Sequence, residues 1–389
     1  MKILFAHNFY QLSGGEDVVV ASEIELLRRF GHDVELYSVS NDTIKGLRSK
    51  FVTAISSAYS SKSCLLFKEK LRTYCPDIVH VHNFFPLLTP SIYDACCDLN
   101  IPLVQTLHNY RTICCGAYLL RNGKVCEKCL DHSPYYGVLH RCYRNSFIAS
   151  ATLAHMISFH HYRKTWQTKI DAFISLTSFS KDVFIKAGFP ASRIWVKPNF
   201  ISGSQPIRQQ AKREGALFVG RLSDEKGIIT LLEAWKNIPY TLKIAGDGPL
   251  RTLVEENQGT HVRYLGSLKP SEVREEMASS AFLVMPSIWY EGFPMVLVES
   301  FACGLPVVVS KLGSMAEIVS DGINGLHFSP GDSSSLKEKV EWAVHNLDKL
   351  DAMGRNAFDT YTNKYTADIN YKLLMNIYST AINNRSCNV

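Results

Sequence analysis

Apolar positions in this chain fall into short runs separated by amphipathic stretches, and the two alternate from one end to the other. "KILFAH" reads as a strand; "EDVVVASEIELLRRFGH" then carries apolar residues at helical spacing and stops at Gly31; "DVELYSV" follows as another strand. Similar runs return at "DIVHVHN", "IPLVQTLHN" and "DAFISLT". This strand–helix–strand succession predicts an α/β protein with a parallel, doubly wound sheet.

The rhythm breaks once and restarts. "KPNFISGSQPIRQQAKREGA" is polar, holds two prolines and has no apolar period, so a linker is predicted near Ile201–Gly215. Beyond it, "LFVGRL", "TLKIAGDG", "VRYLG", "FLVMPS" and "PVVVS" predict a second Rossmann-like domain. The last fifty or so residues are helical in pattern. The expected division is 1–200, 201–365 and a terminal helix, 366–389, packing back on the first domain. A length of 389 residues suits two domains of moderate size.

Composition narrows the class. With 46% apolar and 20% charged residues the chain reads as soluble and globular. The apolar run after Lys2 is broken by His7 and Asn8, which is unlike a signal peptide, and no window is long enough to span a bilayer. A cytoplasmic protein is expected. Residues 1–200 hold 23 Lys and Arg against 15 Asp and Glu, so the excess positive charge lies in the first half. That is either an ordinary solvated surface or a surface for anionic lipid, such as the inner membrane face, or for a phosphorylated acceptor. No nucleic-acid motif accompanies the charge.

In open α/β sheets ligands bind just beyond the strand C-termini, so the residues after each apolar run are the candidates. After the first strand comes "QLSGGED", where Gly14 and Gly15 let a ligand approach backbone before a helix start. The dinucleotide fingerprint G-x-G-x-x-G is absent there, and "GDGPLR" also fails it. In "FVGRLSDEKGI", Arg221 leaves a strand end and Lys226 follows five residues on, so two cations can converge on a diphosphate leaving group. In "WYEGFPMVLVES", Glu291 precedes a helix that opens near Pro294, and Glu299 lies within it. The amides around Gly292, Phe293, Pro294, Met295 and Val296 flank a ligand-binding helix start. Two carboxylates there can each accept hydroxyls from a polyol, although a helix-start charge and a buried ion-pair partner are the alternative.

"GRLSDEKG" followed by "EGFPMVLVE" resembles the signature of retaining glycosyltransferases of family four (glycosyl transferases group 1), which have the GT-B fold. The resemblance runs from "SGGED" through "TLHNYR" to the final helices. It implies two Rossmann-like domains facing across a cleft, with a UDP- or GDP-sugar donor bound mainly by the second and a saccharide or lipid-linked saccharide held by the first. It assigns Glu291 to the transferred sugar, Glu299 to the ribose, and Arg221 and Lys226 to the diphosphate. His108, in "TLHNYR", is placed against the donor sugar; Asn109 departs from the aspartate often found after this histidine. No cofactor is expected for catalysis, because the two cations replace a metal and no D-x-D-like element stands at a strand end. A sugar-nucleotide epimerase or phosphorylase of the same fold would share the donor grip. A nucleotide-binding Rossmann protein without transfer activity is the more distant rival.

Two features fall outside that assignment. Nine of the eleven cysteines precede residue 143, and Cys114 (or Cys115), Cys126, Cys129 and Cys142 in an insert spanning 114–142 offer a structural zinc site with four thiolates, buried reduced thiols, or disulfides, which a reducing compartment disfavours. "ATLAHMISFHHYRKTWQTK" reads as a core-facing helix, with Trp166 among Lys and Arg leaving a membrane-surface reading open.

Overall fold

The computed structural model describes residues 1–11, 14–201 and 213–386, with the side chains of Leu47 and Ser386 excepted. Most of the expected linker, 202–212, lies outside the described residues. The chain forms two compact units: Met1–Leu119 with Cys126–Asn199 and Asn370–Val389, and Leu120–Val125 with Phe200–Ile369. The segment Leu120–Val125, read from sequence as part of a first-domain insert, therefore groups with the second unit.

The first unit is a six-stranded sheet in the order β2-β1-β3-β4-β7-β8. Its strands are β1 (Lys2–Phe9), β2 (Asp33–Ser40), β3 (Ile78–Asn83), β4 (Leu103–Leu107), β7 (Ala172–Ser175) and β8 (Ile194–Val196). Every pairing is parallel, with Lys2 opposite Asp33 and Ile3 opposite Ile78. β3, β4 and β7 are buried along their whole length, as a sheet covered on both faces requires. That burial also explains why their sequences run apolar without clean alternation. The two-stranded hairpin of β5 (Leu120–Arg121) and β6 (Lys124–Val125) was not anticipated.

The second unit pairs β11-β10-β9-β12-β13-β14, again all parallel. These strands are β9 (Ala216–Val219), β10 (Leu242–Ala245), β11 (Val262–Gly266), β12 (Phe282–Met285), β13 (Val307–Ser310) and β14 (Gly325–Phe328). Period-two alternation sends Phe218, Phe282 and Val284 into one core, and Leu217, Leu283 and Met285 into another. The strand order reverses at the β9/β12 boundary, which is where such a sheet opens a crevice for a ligand. The last helices are Ser333–His345, Leu347–Lys364 and Ala367–Ser386.

A fully buried ion pair lies inside the first unit. Lys197 Nζ donates to Glu23 Oε1 at 2.6 Å and to Asn370 Oδ1 at 3.1 Å, joining the first helix (Gly15–Arg29), the segment after β8 and the terminal helix. Leu374, Ile377, Tyr378 and Ala381 of that helix are core residues. Among the described residues no helix is long and apolar enough to cross a membrane.

Candidate active site

At the β9/β12 boundary the second unit brings Lys226 and Glu291 together. Lys226 Nζ donates to Glu291 Oε1 at 2.7 Å, and the same oxygen accepts from Ser287 Oγ at 2.7 Å and Trp289 Nε1 at 3.0 Å. The ammonium also lies 5.6 Å from the Trp289 ring centroid. Three donors fix one carboxylate oxygen and leave Oε2 available to a ligand, so Glu291 is a positioned acceptor. Ser287 and Trp289 were not foreseen from sequence: their role depends on the path of the loop after β12, which carries no periodic signal.

Backbone contacts hold that loop against the one after β9. Ile288 N donates to Glu225 O at 3.0 Å. Gly227, at φ +73°, closes the turn before the helix Ile228–Trp235, and a Cβ there would lie 1.9 Å from Pro286 O. Arg221 is exposed and lines a crevice of about 250 Å³ with Gly220, Gly246, Asp247 and Ser267, at the C-terminal ends of β9 to β11. Gly246, at φ +143°, lets the "GDG" loop pass so close that a Cβ would fall 1.8 Å from Gly220 O. These glycines serve loop-to-loop contact, which explains why the segment lacks the dinucleotide fingerprint. A larger crevice of about 420 Å³, with Lys339, Trp342 and Lys349 in its lining, lies near the N-terminal end of β14, on the edge away from this chemistry.

The helix Met295–Ala302 starts at Pro294 without a side-chain cap, so its first-turn amides at Met295 and Val296 lack intrahelical acceptors. Gly292 O accepts from Ser314 Oγ at 3.2 Å, and the Phe293 ring packs edge-on to Tyr365 at 5.9 Å. Glu299 is one turn into the helix and half-buried. Burial raises its carboxyl above the ordinary range, with Arg274 opposing.

In the first unit, His108 follows β4. Its Nε2 is 2.8 Å from His82 Nδ1, and the two rings stack at 5.1 Å. Burial lowers His108 to about 3, so the imidazole is neutral at physiological pH. Gly14 and Gly15 stand at the start of the first helix, and a Cβ on either would meet nothing within 4 Å. The Gly14 N–H is already committed: it donates to Asp17 Oδ2 at 3.0 Å, while Asp17 Oδ1 is 2.8 Å from His7 Nε2. Space at this loop is open, but one of the amides expected to face a phosphate is not.

Cys114, Cys115, Cys129 and Cys142 of the expected zinc site lie near one another in the first unit. Among the described residues the only group of three or more His, Cys, Asp or Glu close enough to share an ion is Glu23, His80 and His82. Cys115 and Cys129 both approach Pro134 O, at 3.3 and 3.9 Å, beside Gly137. Cys114 lies near Cys142 and Gly116. A hydrogen bond from Cys115 lowers Cys129 to about 7. In the Glu23 group Lys197 takes Glu23 Oε1, and Tyr378 and Thr106 take the two nitrogens of His80, while Glu23 Oε2 and His82 Nε2 lie 3.5 Å apart without a hydrogen bond. Trp166 is buried against Phe84, Tyr93 and Phe189, so it takes no part in a membrane surface.

Two family descriptions adjoin along the chain: Glycosyltransferase Family 4 matches residues 13–204, and Glycosyl transferases group 1 matches residues 204–360. The chain belongs to this glycosyltransferase family. The glycosyltransferase is 38% identical over 144 residues to the uncharacterized glycosyltransferase MJ1178 of Methanocaldococcus jannaschii, covering 36% of this chain and 41% of that protein. It is 28% identical over 208 residues to the lipopolysaccharide 1,2-N-acetylglucosaminetransferase of Salmonella typhimurium, covering 46% of this chain and 55% of that one. These matches span about half the length of the relatives. Anabaena Alr3699/HepE in complex with UDP shares the fold at a TM-score of 0.68 and 20% identity, over 97% of this chain and all of that one. The glycosyltransferase thus has the GT-B fold.

Proposed function

We propose that this glycosyltransferase moves a sugar from a UDP- or GDP-sugar to a saccharide acceptor of a cell-surface polysaccharide or lipopolysaccharide, with retention of anomeric configuration and without a catalytic divalent metal. The observation that carries the reading is the Lys226–Glu291 contact at the point where the second sheet reverses its strand order. Lys226 and Arg221 would hold the diphosphate, whose leaving oxygen gains charge as the glycosidic bond breaks. Glu291 Oε2 would take hydroxyls of the transferred sugar, and Glu299 those of the ribose. The HepE complex with UDP and the acceptor named for the Salmonella relative support the donor and acceptor classes.

The groups at hand support retention. Inversion needs a general base behind the anomeric carbon, and His108, lowered to about 3, is a poor one at neutral pH. As a neutral imidazole it suits a hydrogen bond to the sugar. Double displacement would need a carboxylate nucleophile on that same face, and none is identified at a strand end, so the reading takes front-face attack, with the departing diphosphate oxygen accepting the acceptor proton. A thermal-shift screen over nucleoside diphosphates and their sugars identifies the donor. The anomeric coupling of the product, read by NMR, then tests the mechanism: an inverted linkage overturns it, and a strict requirement for added Mg²⁺ or Mn²⁺ overturns metal independence.

The reading includes peripheral contact with the cytoplasmic membrane face, where a lipid-linked acceptor would reside. It is supported by the helix Gly46–Ser56, which exposes Phe51, Val52 and Ile55 beside exposed Lys45, Arg48 and Lys50 and carries no acid. Co-sedimentation with phosphatidylglycerol vesicles should exceed that with phosphatidylcholine vesicles; equal recovery would remove this part of the reading.

A further inference from the structure

Buried polar groups in folded proteins are almost always hydrogen-bonded, so a cluster of unmet ones marks a place prepared for something else. The first unit has such a cluster. Arg111 Nε and Nη1, Glu16 Oε2, Tyr10 Oη and Thr112 Oγ1 are all buried without a hydrogen-bond partner. Arg111 has no carboxylate within ion-pair distance among the described residues. Its guanidinium carbon instead lies 4.8 Å from the Phe85 ring, 5.5 Å from Tyr143 and 6.0 Å from Tyr10. The Tyr10 hydroxyl is close to the guanidinium but outside hydrogen-bond geometry.

The residues stay in place through contacts of their own. Asn109 Oδ1 accepts from Arg111 N at 3.0 Å, and Asn109 Nδ2 donates to Glu16 Oε1 at 2.7 Å. Asn109, the residue that departs from the expected aspartate, therefore ties Glu16 to the loop that carries Arg111, leaving one oxygen of Glu16 and two nitrogens of Arg111 unmet. Tyr10 follows β1, Phe85 follows β3 and Arg111 follows β4, so the cluster sits at the strand C-termini where the order β2-β1-β3 reverses. Tyr10, Glu16, Arg111 and Tyr143 keep some exposed surface as residues, although the unmet atoms themselves are buried.

We propose that Arg111, with Tyr10 and Glu16, binds an anionic group, phosphate or carboxylate, carried by the acceptor saccharide. The inference rests on the reading that the first unit holds the acceptor. A planar guanidinium with open donors matches either anion, while the hydroxyl and carboxyl beside it match sugar hydroxyls. A ligand of this class meets the unpaired charge and the unmet polar atoms together.

The test uses the full chain saturated with whichever nucleoside diphosphate shifts its melting most, so that the donor subsite is filled. Glucose 6-phosphate, glucuronate and glucose are then titrated by calorimetry. At least one charged sugar should bind tenfold or more tightly than glucose, and the phosphate and carboxylate arms show which anion is preferred. Arg111→Gln should weaken that binding by roughly tenfold or more, with Arg111→Lys between the two, while nucleotide affinity changes by less than about twofold. Wild-type protein that treats the three sugars alike, or Arg111→Gln that binds the charged sugar normally, overturns the proposal. Should Arg111→Gln fail to fold, the wild-type discrimination and Arg111→Lys still decide. Absence of nucleotide binding by the wild type would count against the donor reading instead, which keeps the two failures distinct.

Discussion

Replacing Lys226 by alanine removes two things at once: a cation assigned to the leaving diphosphate, and one of the three donors that fix Glu291 Oε1. Loss of a preorganised charge from a developing anion costs about 2.7–4 kcal/mol, a fall in kcat/KM of roughly 10²–10³. The structural effect is smaller. The Lys226 side chain is 23% exposed and Glu291 6%, and Ser287 and Trp289 remain, so the stability loss should be roughly 1–2 kcal/mol. Glu291→Gln keeps an acceptor for Ser287 and Trp289 but loses the charge and the second acceptor oxygen, and should lower kcat/KM on a similar scale. Because the two residues touch, their effects should not add. The double variant should fall short of the summed costs by about 0.5–3 kcal/mol. The assay is release of the nucleoside diphosphate from the donor found by the thermal-shift screen, run alongside melting curves. Lys226→Ala within threefold of wild type, at unchanged melting temperature, refutes the assignment; strictly additive losses would mean that the 2.7 Å contact plays no part in turnover.

Gly227→Ala forces a Cβ to 1.9 Å from Pro286 O at a positive φ, so it should lower the melting temperature and reduce donor affinity together; an unchanged donor dissociation constant would contradict the loop geometry. Lys197→Met strands Glu23 as an unpaired buried charge and should cost about 3–5 kcal/mol in urea unfolding, with much of the loss recovered in Lys197→Met/Glu23→Leu; no recovery would show that packing, not charge, is at stake. Burial raises Glu16 from 4.5 to about 7, against Asn109 and Arg111 and with Asp17 adding to it, so between those values the folded state binds more protons than the unfolded one and stability falls as pH rises. Glu16→Gln should therefore gain melting temperature relative to wild type at pH 8 compared with pH 5; a difference that stays constant across that range rules the shift out.

The parallel architecture was legible because covered strands must be apolar, and runs such as "DIVHVHN" and "FLVMPS" stand out between helical periods. β8 is three residues long, and β14 opens on Gly325 and carries His327, so neither forms an apolar run that registers. Lys226 and Glu291 could be named as site residues, but their separation of 65 positions hides their contact, and nothing local announces that Ser287 and Trp289 would complete it. Spacing singled out Cys114, Cys126, Cys129 and Cys142, but it could not show that Cys115 and Cys129 would both approach Pro134 O. The Arg111 cluster was missed because aromatic residues distant in sequence supply its walls, even though "TLHNYR" had drawn attention to its neighbour His108.

The interrupted path of the first unit has a consequence for biosynthesis. Its last segment, from Asn370, is made only after the whole of the second unit has been translated. At about 5–20 residues per second, the 170 or so intervening residues occupy roughly 10–30 s. Through that interval Lys197 lacks Asn370, His80 lacks Tyr378, and the apolar surface that Leu374, Ile377 and Ala381 will cover faces water or chaperones. The half of the protein that emerges first from the ribosome is thus the half that finishes folding last.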